Sequence, residues 1–450
     1  MSCFEYNKDA DNIVTLTINM DGKVNIINQE FTRDLLATVQ RLEAERATIT
    51  GVILTSAKST FIAGADLKFF AQFSTSDIRE FSAMVNDFKN AQRRLEQLTL
   101  PVVCALNGTA LGAGFELALA CHHRIAINDT KNIFGLPEES FGLLPGGGGT
   151  TRLIHLLGLK AALPLILEAR KLRADLALTS GIIDDIATDS TDMLQKARTW
   201  IRNNPTAQQP WDKPDYSIDK KELKILAISP AVMLKKTRGA FPAAKTLLAL
   251  AKEILTVDFD TALKIESRAF IKLLLSPEAH NMITTFYFGL NALKAGGSRP
   301  KEIPPQHTTK IGILGAGMMG RGIAYAAAIA NIDVTLLDST LLLAQKGKTF
   351  SEKLLENNPK KAEILARITP TEKIADLAGC DLIIEAVFEN VEIKAQITRA
   401  AEPQLAANGV FASNTSTLPI SLLADASTNP ENFIGIHFFS PVEKMPLIEI

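Results

Sequence analysis

The chain has 450 residues, 46% of them hydrophobic and 22% charged, with 48 basic against 49 acidic side chains and a formal net charge of −1. This length accommodates about two to three domains, and the composition is that of a globular protein. The charge balance excludes the basic footprint of a nucleic-acid binder and a polybasic membrane surface. The four cysteines, Cys3, Cys104, Cys121 and Cys380, are scattered and form no CxxC pair, so they read as reduced core thiols. The polar start MSCFEYNKDADNI is neither a secretory signal nor an Arg-rich transit peptide. No apolar run approaches the ~18 residues of a membrane span, so a cytoplasmic chain without stable membrane insertion is expected.

Over residues 1–190, short β-branched runs (NIVTLTINM, TGVILTSA, PVVCALNG and HRIAIN) alternate with helical stretches, which predicts an α/β domain. Within it, TALGAGFELALA (residues 109–120) holds a single charge, Glu116, among small and aliphatic side chains. A carboxylate in such a setting is costly unless it is paired, hydrogen-bonded or neutralised. A helix start would favour it through the dipole; so would a chemical role. Segments such as KTLLALAKEIL and TALKIESRAFIKLLL carry apolar residues at helical spacing, so a helical extension is expected after residue 190. KAGGSRPKEIPPQHTTK, Lys294 to Lys310, reads as a linker. The expected divisions are therefore 1–190, 191–305 and 306–450.

Beyond the linker come the strand KIGILGAG, the helix MMGRGIAYAAAIA and the strand DVTLLD, a βαβ unit followed by strands at CDLIIEAV, GVFASNT and NFIGIHFF. Gly315, Gly317 and Gly320 form GxGxxG at the first turn, and Asp338 follows 23 residues after Gly315. One glycine makes the turn, one lets backbone approach a pyrophosphate, and one lets helix pack on strand, while the acid accepts from a ribose hydroxyl. An aspartate with no Arg beside it in LLDST favours NAD over NADP. His437 in IGIHFF, with Glu449 12 residues later, offers a base and its orienting carboxylate for hydride transfer from an alcohol. A histidine on an apolar run is also compatible with a core position.

Together, FIAGADL, NGTALGAGFELALA, GLPEESFGLLPGGGGTTRL and LTSGIIDDI on one side of the linker, and GILGAGMMGRGIAY, EAVFENVEIK, SNTSTLPIS and HFFSPVEKMPLIEI on the other, resemble the multifunctional α-subunit of bacterial fatty-acid oxidation complexes. The resemblance spans essentially the whole chain. It implies an N-terminal crotonase-like domain (a ββα-type spiral) with enoyl-CoA hydratase activity, a helical linker region, and a C-terminal Rossmann NAD-binding domain of a 3-hydroxyacyl-CoA dehydrogenase. By it, Glu116 and Glu138 match the hydratase's two catalytic glutamates, and Ala65 and Ala113 supply the backbone N–H groups of an oxyanion hole. The second of these is usually glycine in the family, so Ala113 is a departure whose cost depends on the sign of its φ. His122 and His123 read as packing or surface residues, and no metal is expected.

In the dehydrogenase half the resemblance makes His437 the base and Glu449 its partner, with Ser416 at substrate or cofactor. Met319, Asp338, Val387, Phe388, Glu389 and Lys394 are expected along the cofactor, with Gly315, Gly317 and Gly320. Ser440 stands where many relatives carry asparagine, which touches a neighbouring cofactor contact. The family continues past Ile450 with helical domains that complete the dehydrogenase, so by the resemblance the chain is expected to be C-terminally truncated and to oxidise 3-hydroxyacyl-CoA little. It also implies acyl-CoA thioesters as substrates and a thiolase β-subunit as partner. The alternatives are a 3-enoyl-CoA isomerase using the same carboxylates and an acyl-CoA-binding scaffold.

Overall fold

The computed structural model describes residues 2–297, 299–302, 304 and 306–450. Met1, at the polar start, and Ser298, Ile303 and Pro305, inside the expected linker, lie outside the described residues. The chain forms two compact units, Met1–Arg299 and Pro300–Ile450. Among the described residues no helix is long and apolar enough to cross a membrane.

In the first unit six strands lie side by side in sequence order: β1 (Phe4–Lys8), β2 (Ile13–Ile18), β3 (Gly51–Ser56), β4 (Val102–Leu106), β5 (His123–Ile127) and β6 (Asp185–Ala187). β1 and β2 form an antiparallel hairpin, and every later pair is parallel. Side chains alternate across the sheet. Val14, Leu16, Val52, Leu54, Val102 and Leu106 join one core, and Ile13, Ile53, Val103, Ala105 and Ile125 join another. Burial on both faces explains why these strands read as continuous apolar runs.

The larger core takes in α1 (Gln29–Glu45), α2 (Ile78–Glu96), α3 (Ala113–Leu119) and α4 (Gly149–Leu157). α5 (Ser190–Asn203), N-capped by Asp189, covers the other face through Met193, Ala197 and Ile201. α6 (Pro242–Ile254) and α7 (Phe259–Leu274), from the helical extension, bury Ala243, Leu247, Ile254, Phe270 and Leu274 in the same core as α1 to α4.

The second unit is a six-stranded parallel sheet built from β7 (Lys310–Leu314), β8 (Asp333–Leu337), β9 (Ile368–Thr371), β10 (Cys380–Glu385), β11 (Leu405–Ser413) and β12 (Phe433–Gly435). Their spatial order is β9-β8-β7-β10-β11-β12. The order reverses between β7 and β10, and a doubly wound sheet of this order opens its ligand crevice at the strand ends there. α8 (Met318–Ile329) follows β7, and α9 (Val391–Ala401) follows β10. A short antiparallel ladder, β13 (His437–Phe438) with β14 (Ile448–Glu449), closes the chain.

Candidate active sites

Glu116 enters from the first turn of α3 and is 2% exposed. Its carboxylate meets the glycine segment that leads into α4. Oε1 accepts from the N–H groups of Gly147 and Gly149, each at 2.8 Å, and Oε2 accepts from Gly147 at 3.0 Å. Burial and then the charge of Glu266 push its carboxyl up to about 7, against the Gly149 hydrogen bond and the charges of Lys89 and Arg152. The helix start is real, and the Gly147 and Gly149 N–H groups hold the carboxylate there as well.

Glu138 opens the short 3-10 turn Glu138–Phe141, and its Oε2 is buried with no hydrogen-bond partner among the described residues. Burial and then the charge of Glu116 hold its carboxyl well above the usual carboxylate range. Gly112 makes room for it: φ there is +53°, and a Cβ would lie 2.8 Å from Oε1 of Glu138. Both carboxylates line one cavity of about 610 Å³, whose wall includes Phe70, Phe81, Phe88 and Phe270.

Ala65 and Ala113 line the same cavity. Ala65 follows Gly64 beside the Ile27 bridge, and Ala113 is the first residue of α3, where a helix has no internal acceptor for its N–H. Among the described residues neither N–H meets an acceptor. Positive φ falls on Gly112, and Ala113 is not among the non-glycine residues that adopt it. The alanine therefore carries its N–H without backbone strain. Between the glutamates, Nδ1 of His122 accepts from the Val102 N–H at 3.0 Å, and the His123 ring stacks on Trp200.

In the second unit Gly315 turns at φ +95°, and a Cβ on Gly320 would sit 1.8 Å from the Gly315 carbonyl oxygen, so only glycine packs there. Gly317 is different: a Cβ would meet nothing within 4 Å. That open space lies at the start of α8, where free N–H groups and the dipole favour an anion. Asp338 stands at the end of β8 and accepts from the Ala316 N–H at 2.7 Å, which ties it to the same turn. The residues present fit a dinucleotide. Met319 is the second residue of α8, and Phe388 is 83% exposed in the loop after β10.

Register brings His437 and Glu449 together. They are direct partners in the β13–β14 ladder, with Nδ1 2.6 Å from Oε2. Nε2 lies 3.3 Å from the Ser416 hydroxyl. The Glu389 carboxylate accepts from the Thr415 hydroxyl and from the Ser416 and Thr417 N–H groups. Burial raises the Glu389 carboxyl, but the Thr415, Ser416 and Lys394 contacts outweigh it and hold it at about 2. Lys394 is 2% exposed, its ammonium committed to Glu385 at 2.9 Å and to Glu389 at 3.2 Å. It therefore bears on the crevice through Glu389.

Two family models match the chain. Residues 8–209 match enoyl-CoA hydratase/isomerase, and residues 310–450 match the NAD-binding domain of 3-hydroxyacyl-CoA dehydrogenase. The chain joins a hydratase/isomerase domain to a dehydrogenase NAD-binding domain. The model that matches the C-terminal unit describes a domain that binds NAD, and the one that matches the N-terminal unit describes a hydratase or isomerase of enoyl-CoA. Similar solved structures include an enoyl-CoA hydratase from Bacillus anthracis, 25% identical over 65% of this chain and 96% of that one, with a TM-score of 0.41. A (S)-3-hydroxybutyryl-CoA dehydrogenase from Ralstonia eutropha is 35% identical over 32% of this chain and 53% of that one, with a TM-score of 0.30. FadB2 of M. tuberculosis is 33% identical over 32% and 53%, with a TM-score of 0.31. The chain thus spans about half the length of the dehydrogenases it matches.

The cavity of the first unit and the shell around it also hold residues that the motifs did not reveal. Phe270 and Tyr287, from the helical extension, line its cavity. Glu266, fully buried on α7, accepts from the Gly148 N–H at 2.6 Å and the Thr151 N–H at 2.8 Å. Lys89, on α2, pairs with it at 2.9 Å. A signal for both was present. Phe259, Leu263, Glu266, Phe270 and Leu274 mark the buried stripe of α7, and Phe81, Val85, Lys89, Gln92 and Glu96 lie on that of α2. A charge on an apolar stripe is expensive unless it is paired, so each pointed to a partner elsewhere. In the dehydrogenase half Glu385 was likewise missed. It is 1% exposed and accepts from Lys394 and the Ser413 hydroxyl.

Proposed function

We propose that the N-terminal unit adds water to 2-enoyl-CoA thioesters, giving 3-hydroxyacyl-CoA. The observation that carries this reading is two carboxylates with unlike surroundings lining one cavity with two N–H groups that meet no acceptor among the described residues. Hydrogen bonds from Gly147 and Gly149 favour the ionised form of Glu116, while Glu138 has no such donor at Oε2 and stays protonated. Glu116 removes a proton from water as its oxygen bonds to the β-carbon. The π electrons pass to the thioester oxygen, where the Ala65 and Ala113 N–H groups stabilise the enolate. Glu138 then delivers its proton to the α-carbon as the carbonyl re-forms, and proton exchange resets the pair. Glu116→Gln and Glu138→Gln should each lower turnover ~10²–10⁴-fold while the fold persists, read as loss of enoyl absorbance with purified chain. Near-normal hydration by Glu138→Gln would overturn the two-carboxylate reading.

In the second unit the residues from Gly315 to Gly320 and Asp338 hold NAD, which supplies a hydride acceptor. His437 takes the 3-hydroxyl proton at Nε2, with Glu449 fixing Nδ1 and stabilising the imidazolium. Ser416 holds substrate beside Nε2, and Val387, Phe388 and Glu389 form the crevice wall, with buried Lys394 acting on it through its ion pair to Glu389. Release of NADH on addition of 3-hydroxyacyl-CoA, expected to be small for this chain and abolished in His437→Gln, tests this. The functional divisions we propose are 1–190, the helical extension 191–305 and 306–450. A thiolase consuming the 3-ketoacyl product is the partner that fits the chemistry. The four free, buried cysteines suit a reducing cytoplasm.

A further inference from the structure

Glu116 and Glu266 divide one backbone segment between them. Gly147 and Gly149 donate to Glu116, whereas Gly148 and Thr151 donate to Glu266, which also accepts from the Thr151 hydroxyl at 2.7 Å. Lys89 locks Glu266 at 2.9 Å and donates to the Leu263 carbonyl, also on α7, at 2.7 Å. The segment is held at one more point, where the Gly147 carbonyl accepts from Gln92 at 2.9 Å and from Arg152 at 3.3 Å. Adding a Cβ to Gly147 or Gly149 would bring it within 2.8 Å of the Glu116 carboxylate, so the grip is close.

A buried ion pair between side chains 177 positions apart in the chain (89 to 266) is a poor stabilising device, because desolvation consumes most of its Coulomb gain. Its position suggests another use. We propose that Lys89 and Glu266 are positioning residues of the hydratase, fixing the Gly147–Thr151 segment under Glu116 and setting the charge against which Glu116 works. The inference rests on the reading of Glu116 as the base.

The charged groups bearing on Glu116 are Glu138 from the 3-10 turn, Glu266 from α7, Lys89 from α2 and Arg152 from α4. Arg152 is already matched by Glu96 at 2.6 Å. Of the neighbours, Glu266 acts most strongly to keep the proton on Glu116, and Lys89 opposes it less. Removing the Glu266 charge therefore makes Glu116 ionise more readily. Removing both charges leaves a smaller shift of the same sign.

The test is the pH profile of kcat/KM for enoyl-CoA hydration by the full chain. In Glu266→Gln the acid limb moves to lower pH by about one unit. In the double variant Lys89→Met/Glu266→Gln it moves in the same direction by less, and this variant holds no unpaired buried cation should the single one fail to fold. Acid limbs coincident with the wild type in folded variants, or moved to higher pH, overturn the proposal, because a purely structural pair would change the height of the profile and leave its position. Glu116→Gln is run alongside. If it hydrates normally, the reading of Glu116 fails; if it is inactive while the limbs stay fixed, only the positioning role fails.

Discussion

A carboxylate shut away from water and beside a second one holds its proton to unusually high pH, and Glu116 meets both conditions. That has a consequence for stability as well as for catalysis. The folded-state value of about 7 lies above the ordinary 4.5, so this group's contribution is fully present below about pH 4.5 and is lost as pH rises through about 7. A difference of that size corresponds to at most about 3 kcal/mol. Urea unfolding of the wild type and Glu116→Gln at pH 5 and pH 8 should therefore show the variant gaining on the wild type at the higher pH. A gap that does not change with pH would contradict the electrostatic account.

The glycine turn between β7 and α8 separates two reasons for conserving space at the scale of an element. Gly320 is required for packing, since its Cβ would run into the Gly315 carbonyl oxygen at 1.8 Å, whereas Gly317 faces open space. Gly320→Ala should destabilise the second unit by ~1–3 kcal/mol through overpacking, seen as a lower melting temperature. Gly317→Ala should melt like the wild type yet bind NAD at least about tenfold more weakly by calorimetry, a loss of about 1.4 kcal/mol. Unchanged NAD affinity in a folded Gly317→Ala would remove the pyrophosphate from this turn.

At the scale of the whole molecule, the first unit runs to Arg299, and its large core is shared between strands before residue 190 and helices after it. α7 brings Phe270 to the cavity and Glu266 to the glycine segment. A chain of residues 1–299 should fold and hydrate enoyl-CoA at close to the full-chain rate. A chain of residues 1–190 should expose the apolar surface that covers Ala243, Leu247 and Phe270 and aggregate, as judged by gel filtration. An active, monodisperse 1–190 fragment would show that the extension is dispensable to the site.

What was legible in the sequence was whatever neighbouring residues encode together. Strand alternation, the linker composition and the GxGxxG turn with Asp338 each lie within one or two elements, and local periodicity and turn chemistry suffice to read them. Glu449 could be named as the partner of His437 because only 12 residues separate them, and the ladder then set them side by side. Glu116 and Glu138 were recognisable as a pair through their resemblance to known motifs. How differently the two carboxylates are surrounded, why Ala113 is tolerated after Gly112, and that Lys89 and Glu266 hold the glycine segment that Glu116 grips were decided by the tertiary structure alone. Proton affinity is a sum over every charge and every dehydrated surface near a group, and α2, the glycine segment and α7 become neighbours only when the core that joins them has formed.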